Sequence, residues 1–267
     1  MEIPTIIVQF PVAMKMDENL GQIHAIIRQC SPGSLVVFPE GALSGYSADL
    51  SFLDLLDRLE LERSLEIIQQ SVVQQGIHLF IGSCLWQDGQ WRNAALYFSP
   101  HGHRVPYYKV NLATHERGRL AAGSALAIIR LNLAGATVRV GIQLCREIRF
   151  PGQWQTLAEN GAEVIVFMMH GIADSVRREV WRSHLISRAA EIQRYVLAAN
   201  TAHPDQLCPT MLVDPRGRVV QEEVSARTVL LRNTIDTANN SNWYLSQARR
   251  DLTTIEYPEP PPGRSAG

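Results

Sequence analysis

Apolar and polar positions along the chain follow two alternating periods. Residues 4–10 form a short apolar run of strand type, and residues 18–30 then place Leu20, Ile23, Ile26 and Ile27 at helical spacing. The alternation recurs, with a strand over 34–38, a helix over 59–75, a strand over 77–86 and its hairpin partner over 91–99, reached through Gln87-Asp88-Gly89-Gln90. A turn at Ser99-Pro100-His101-Gly102-His103 leads into a strand over 104–109. Beyond a long loop, strands over 125–131 and 137–145 pair across 132–136. They are followed by a helix over 151–160, a strand over 163–169, a helix over 177–194 and a strand over 195–200. Residues 210–222 form a hairpin closed at Asp214-Pro215-Arg216-Gly217, and 228–235 make one more strand. A last amphipathic stretch over 242–252 precedes Pro258-Glu259-Pro260-Pro261-Pro262-Gly263, which suits neither helix nor ladder.

Strands that alternate with helices define an α/β chain. So many strands favour two sheets packed face to face with helices outside over one open sheet. No linker, composition break or internal repeat divides the sequence, so a single domain is expected over 1–257 with a Pro-rich tail over 258–267.

Composition narrows the functions available. The 267 residues are 46% hydrophobic and 19% charged with a formal net charge of −1, which offers no electrostatic footprint for nucleic acid or an anionic membrane surface. The opening apolar run is too short for a signal peptide, and no window approaches the roughly 18 apolar residues of a spanning helix. A soluble, cytoplasmic protein with no nucleic-acid or membrane partner is expected. Cys30, Cys84, Cys145 and Cys208 lie at long, unrelated intervals without a C-x-x-C pair, which argues against a disulfide framework or a zinc knuckle. Lysine occurs only at Lys15 and Lys109 among 25 basic residues, so a lysine inside an apolar, aromatic stretch points to a role that guanidinium does not fill.

Three reactive side chains follow strands: Glu40 after residues 34–38, Lys109 at the end of 104–109 and Cys145 at the end of 137–145. Sites in α/β proteins gather beyond the carboxyl ends of strands, so the three can share one pocket. Together they suit acyl transfer, with a carboxylate to move protons, a fixed cation for an oxyanion and a thiol nucleophile. Singly, each has a plainer role: Cys145 as a core residue, Glu40 as a turn or cap residue, Lys109 snorkelling from an edge strand. His101 and His103 could pair on a metal but suit a solvated turn better, and no carboxylate or cysteine stands near them. G-x-G-x-x-G, G-x-x-x-x-G-K-[ST] and G-x-S-x-G are absent, and no cofactor is implied.

The segments Phe38-Pro39-Glu40-Gly41, Tyr107-Tyr108-Lys109-Val110-Asn111-Leu112 and Gly141-Ile142-Gln143-Leu144-Cys145-Arg146-Glu147-Ile148-Arg149-Phe150-Pro151 resemble, in order and spacing, the Glu, Lys and Cys motifs of the nitrilase superfamily of carbon–nitrogen hydrolases. The resemblance spans nearly the whole chain. It implies a four-layer α-β-β-α sandwich that assembles as a homodimer or higher homo-oligomer. It also implies a catalytic Glu40, Lys109 and Cys145, with Glu116, seven residues before Gly123, positioning substrate and balancing charge. Lys109 and the Arg146 backbone N–H would hold the oxyanion, and Tyr46, His170 and Trp181 are candidate pocket residues. Lys109 is further expected to favour the Cys145 thiolate.

The sequence departs from the pattern at Asn111, where histidine is frequent, at Gly152, where glutamate is frequent, and at Arg146, where amidases carry an aromatic residue and nitrilases a tryptophan. The reading is a cofactor-independent hydrolase of a small amide or carbamoyl substrate. A nitrile hydrolase and a catalytically idle fold used as a binding module are the alternatives.

Overall fold

In a computed structural model of the chain, residues 1–133, 135–173, 175–249 and 251–256 are described; the expected Pro-rich tail over 258–267 lies outside them. Twelve strands and four helices alternate along these residues. The first half runs β1 Glu2–Gln9, α1 Met16–Ile27, β2 Leu35–Val37, α2 Arg58–Gln75, β3 His78–Gln87, β4 Gln90–Phe98 and β5 Arg104–Tyr108. The second runs β6 Ile128–Leu133, β7 Ala136–Leu144, α3 Pro151–Glu159, β8 Val164–Met168, α4 Ser175–Ile192, β9 Tyr195–Ala199, β10 Thr210–Val213, β11 Val219–Glu223 and β12 Val229–Asp236.

The strands form two six-stranded sheets, ordered β12-β1-β2-β3-β4-β5 and β11-β10-β9-β8-β7-β6. Both are ordered alike. β1, β2 and β3 run parallel, as do β7, β8 and β9; β12 and β6 flank these trios antiparallel, and β4-β5 and β10-β11 complete the other edges antiparallel. The likeness lies in strand order and direction and not in the connections, since β6 joins β7 by a hairpin while β12 reaches β1 from beyond the second sheet.

Each sheet is covered on both faces, so its central strands are apolar nearly throughout rather than alternating. Ile3 and Ile7 of β1 point between the sheets with Leu35, Val37, Val140, Ile142 and Val164. Ile6 and Val8 point outward to meet Ile23 and Ile27 of α1 and Leu61, Leu65 and Ile68 of α2. On the far side, Ile165, Phe167 and Val196 pack on Trp154, Leu157, Leu185 and Ala189 of α3 and α4. This is the expected α-β-β-α sandwich.

Local chemistry sets the element ends. Asp57 caps α2 by accepting from Leu59 N and Glu60 N at 2.7 and 3.0 Å, and Gly76 ends it at φ 67°. Asp88 and Gly89 adopt φ of 52° and 77° and close the β3–β4 hairpin in two residues, as a type I′ turn requires. Two expectations need correction. The pair expected at 125–131 and 137–145 is β6 and β7, zipped up to Leu133 opposite Ala136; Gly135 at φ 84° allows the tighter reversal. The amphipathic stretch 242–252 forms no α-helix among its described residues, only a 3₁₀ turn at Leu245–Gln247. The buried Arg194 guanidinium holds its start through Ser241 O and Asn242 Oδ1. Among the described residues, no helix is long and apolar enough to cross a membrane.

Gly82 of β3 lets the strand lie against the backbone that carries Glu40. A Cβ there would stand 2.4 Å from Glu40 Cα, 2.6 Å from Gly41 N and 2.6 Å from Pro39 O, all main-chain atoms. Gly82→Ala is expected to cost about 1–3 kcal/mol by overpacking and, by displacing Glu40, to lower turnover by at least about tenfold. Denaturant titration and steady-state assay check the two effects separately.

Candidate active site

Glu40 follows β2, Lys109 follows β5, Glu116 ends the 3₁₀ turn Thr114–Glu116, and Cys145 opens the 3₁₀ turn Cys145–Arg149 after β7. The fold brings all four together. The Lys109 ammonium donates to Glu40 Oε1 at 3.0 Å and to Glu116 Oε1 at 2.9 Å, with all three side chains fully buried. Asn93 of β4 donates its amide to the same two oxygens, each at 2.7 Å. Tyr46 OH donates to Glu116 Oε1 at 2.6 Å, Ala113 N donates to Glu116 Oε2, and His170 N donates to Glu40 Oε2 at 3.0 Å. The negative charge of Glu40 also acts on the Cys145 thiol. Cys145 has φ 41°, a left-handed conformation that a side chain adopts at a cost of about 1–2 kcal/mol. It is also the least buried of the four cysteines, the others being fully enclosed.

Burial alone would drive the Lys109 ammonium toward neutrality, but Glu40, Cys145 and Glu116 outweigh it and hold its pKa above the usual lysine range. Burial likewise works against an ionised Glu116, and Lys109 with the hydrogen bonds from Tyr46 and Asn93 overrides it and keeps its pKa low. Cys145 behaves differently. Burial first, then the negative charge of Glu40, push its thiol well above the usual cysteine range, and Lys109 opposes them without prevailing. The expected standing thiolate is therefore corrected: two carboxylates face one ammonium, and the resting sulfur keeps its proton. Such a thiol becomes a nucleophile only as a base removes that proton during attack, and Glu40 is placed to do so. Burial lowers the pKa of His170, so its ring is neutral near pH 7, and burial raises that of the Tyr46 phenol.

The sulfur opens into a pocket of about 610 Å³ whose walls include Tyr46, His115, Arg146, His170 and Trp181. Arg146 lies with its guanidinium carbon 5.9 Å from the Trp181 ring centre, and Arg149 5.2 Å from it. All the pocket residues expected from sequence thus border one cavity. A larger open cleft of about 770 Å³ runs beside Arg58, Trp86 and Trp91, but no cysteine, lysine or histidine lines it. Among the described residues no cluster of three or more His, Cys, Asp or Glu suits a metal ion, and His101 and His103 sit in the exposed turn between β4 and β5.

Sequence reasoning passed over three residues in or beside the site. Asn93 lies within an ordinary strand pattern and reveals nothing until β4 is placed beside Glu40. His115, adjacent to Glu116, meets Tyr46 OH at 3.1 Å through Nε2. Glu147 lies within the cysteine motif itself, and its charge two residues after the nucleophile position was the available signal.

The carbon–nitrogen hydrolase family profile matches residues 6–243, and the chain belongs to that family. Named amidases are among its relatives, and nitrilase-superfamily proteins are among the solved structures it resembles. An (R)-stereoselective amidase from a Pseudomonas species is 28% identical over 256 residues, covering 92% of this chain and 90% of its own. XC1258 from Xanthomonas campestris, a CN-hydrolase superfamily protein, superposes with TM-score 0.78 at 19% identity, over 96% of this chain and 100% of that one. A glutamate-to-glutamine variant of the amidase from Nesterenkonia sp. AN1, showing covalent addition of the acetamide moiety of fluoroacetamide at its active-site cysteine, superposes with TM-score 0.77 at 19% identity over 94% of both chains.

With its pKa raised, Cys145 should alkylate slowly with iodoacetamide at pH 7 and faster as pH climbs past 9, yet still ahead of Cys30, Cys84 and Cys208, which burial shields. Peptide mapping after timed labelling reads this. Rapid, pH-independent labelling of Cys145 down to pH 6 would restore the standing thiolate.

Proposed function

We propose that this carbon–nitrogen hydrolase cleaves the amide or carbamoyl group of a small substrate through a thioester on Cys145. The observation that carries the reading is the closed network in which one ammonium, Lys109, joins Glu40 and Glu116 beside a thiol that opens into a pocket.

Glu40 accepts the thiol proton as sulfur attacks the carbonyl carbon, and Lys109 with the Arg146 backbone N–H stabilises the oxyanion. Collapse of the tetrahedral adduct breaks the C–N bond as Glu40 returns the proton to the departing nitrogen, leaving the thioester. Glu40 then takes a proton from water as its oxygen attacks the acyl carbon, and the sulfur leaves and recovers that proton. The acid forms, with ammonia or an amine as the other product. Glu116 holds the ammonium and Tyr46 in place, and Tyr46, His170 and Trp181 contact the substrate. The adduct on the active-site cysteine of the Nesterenkonia amidase supports this chemistry by likeness of fold. A single domain over 1–257, a cytoplasmic setting and assembly into a homo-oligomer complete the proposal; sedimentation velocity of the purified chain reads the last.

Ammonia release across a panel of amides, carbamoyl compounds and nitriles, with intact mass of the trapped enzyme, tests the whole. An acyl adduct on the wild type that is absent from Cys145→Ala is expected. Turnover of nitriles alone would install the nitrilase reading, and neither adduct nor turnover the idle one.

Lys109→Arg keeps the charge but not the compact ammonium, so it should lower kcat/KM below detection, while Lys15→Arg stays at wild type. Glu40→Gln should lose acylation and deacylation together by more than the roughly 10²–10⁴-fold of general acid–base catalysis. Glu116→Gln should bind substrate and turn over slowly, accumulating the thioester. Single-turnover assays separate these, and a fully active Glu40→Gln would remove the proton shuttle.

A further inference from the structure

Glu147 is a fully buried carboxylate for which the reaction above has no use. Its Oε1 accepts from Tyr107 OH at 2.7 Å, Val110 N at 2.8 Å and Asn111 N at 3.3 Å; its Oε2 accepts from Leu144 N at 2.7 Å. Among the described residues no lysine, arginine or histidine pairs with it. All four donors are neutral, and the carboxylate form, which accepts through both oxygens, suits them. Burial pushes its pKa up, and these donors resist.

A buried charge without a counter-charge destabilises a fold, and an apolar side chain in its place would leave these donors without their acceptor. What the carboxylate does that an apolar group cannot is join two strand ends from different sheets. Val110 N and Asn111 N belong to the residues directly after Lys109 at the end of β5, in one sheet. Leu144 N belongs to the residue directly before Cys145 at the end of β7, in the other. The Leu144 bond also fixes the turn in which Cys145 takes its left-handed φ. Separately, the Glu147 main-chain carbonyl accepts from Trp154 Nε1 at 3.1 Å and anchors the turn to α3 without involving the carboxylate.

We infer that Glu147 is a positioning residue which, by bridging the segment after Lys109 to the residue before Cys145, sets the placement of the ammonium relative to the sulfur. The inference rests on the proposed roles of those two residues. Since Glu147 does not touch the substrate pocket, its removal should misplace the reacting groups and leave substrate binding nearly intact.

Glu147→Gln keeps an oxygen for the Tyr107 side but turns an N–H donor toward Leu144 N, breaking the bridge on the cysteine side. Its kcat and single-turnover acylation rate should fall by about 10–100-fold with KM within about threefold. Trp154→Phe is the control, because it loosens the same turn and leaves the carboxylate bridge alone. A kcat for Glu147→Gln within about twofold of wild type overturns the inference, as does an equal loss of kcat in Trp154→Phe at a matched drop in melting temperature. If Glu147→Gln does not fold, Tyr107→Phe removes one donor from the same oxygen and should lower kcat by about 3–10-fold at unchanged KM, and an unchanged kcat there is equally decisive against it. A wild type that forms no acyl adduct would instead defeat the proposed function, so the two failures are told apart.

Discussion

A single ammonium held between two carboxylates in the dry space where two sheets open is the constraint around which the site is arranged. Each of these charges would be prohibitive alone at zero exposure. Lys109 makes Glu40 and Glu116 tolerable, and they in turn keep it charged against its own burial. The remaining acceptor capacity is taken up by Asn93, Tyr46, Ala113 N and His170 N, which arrive from four different stretches of chain. Because the charges number two negative and one positive, a thiolate beside them would add a second uncompensated charge. The sulfur therefore rests as a thiol, and its reactivity is conditional on the neighbouring base.

The layers make that dry space. Strands apolar on both faces let each sheet seal one side with helices and the other with its twin, so the carboxyl ends of β2 and β7 come together. The close approach of β3 to the residues around Glu40 depends on Gly82, where a methyl group would have met the main chain of Pro39, Glu40 and Gly41. Precision at the site is thus set by main-chain contact, which side-chain repacking cannot relieve.

Most of this was legible in the sequence because it was written in periodicity and in motif. The two-period alternation located the strands and helices to within a few residues, and the strand count separated two sheets from one. Glu40, Lys109, Cys145 and Glu116 were found by their places after strands or by family spacing, and the structure puts them within one network. The elements that misled were governed by features periodicity does not carry. The β6–β7 register turned on the left-handed Gly135, and Arg194 ties down Ser241 and Asn242, after which the described chain makes only a short 3₁₀ turn. The thiol's protonation could not be read either, since it depends on how many carboxylates burial gathers around one lysine. Asn93 was invisible because its partners are far off in sequence and near only in the fold, whereas Glu147 showed only its charge inside the cysteine motif and not the strand end it reaches.

The two sheets share strand order and direction but differ in one connection, and that difference has a consequence for how the chain is made. β12, encoded after the whole of the second sheet, pairs with β1 from Glu2 opposite Asp236 to Gln9 opposite Val229. Until the ribosome has released those last residues, β1 presents an unpaired edge of Ile and Val to its surroundings, and the first sheet stands incomplete while the second is being assembled. The order of synthesis therefore leaves the sheet that carries Glu40 and Lys109 open for longest. The hazard for this protein is one of time at the nascent stage, in which a strand from a neighbouring copy can take the place that its own last strand has not yet reached.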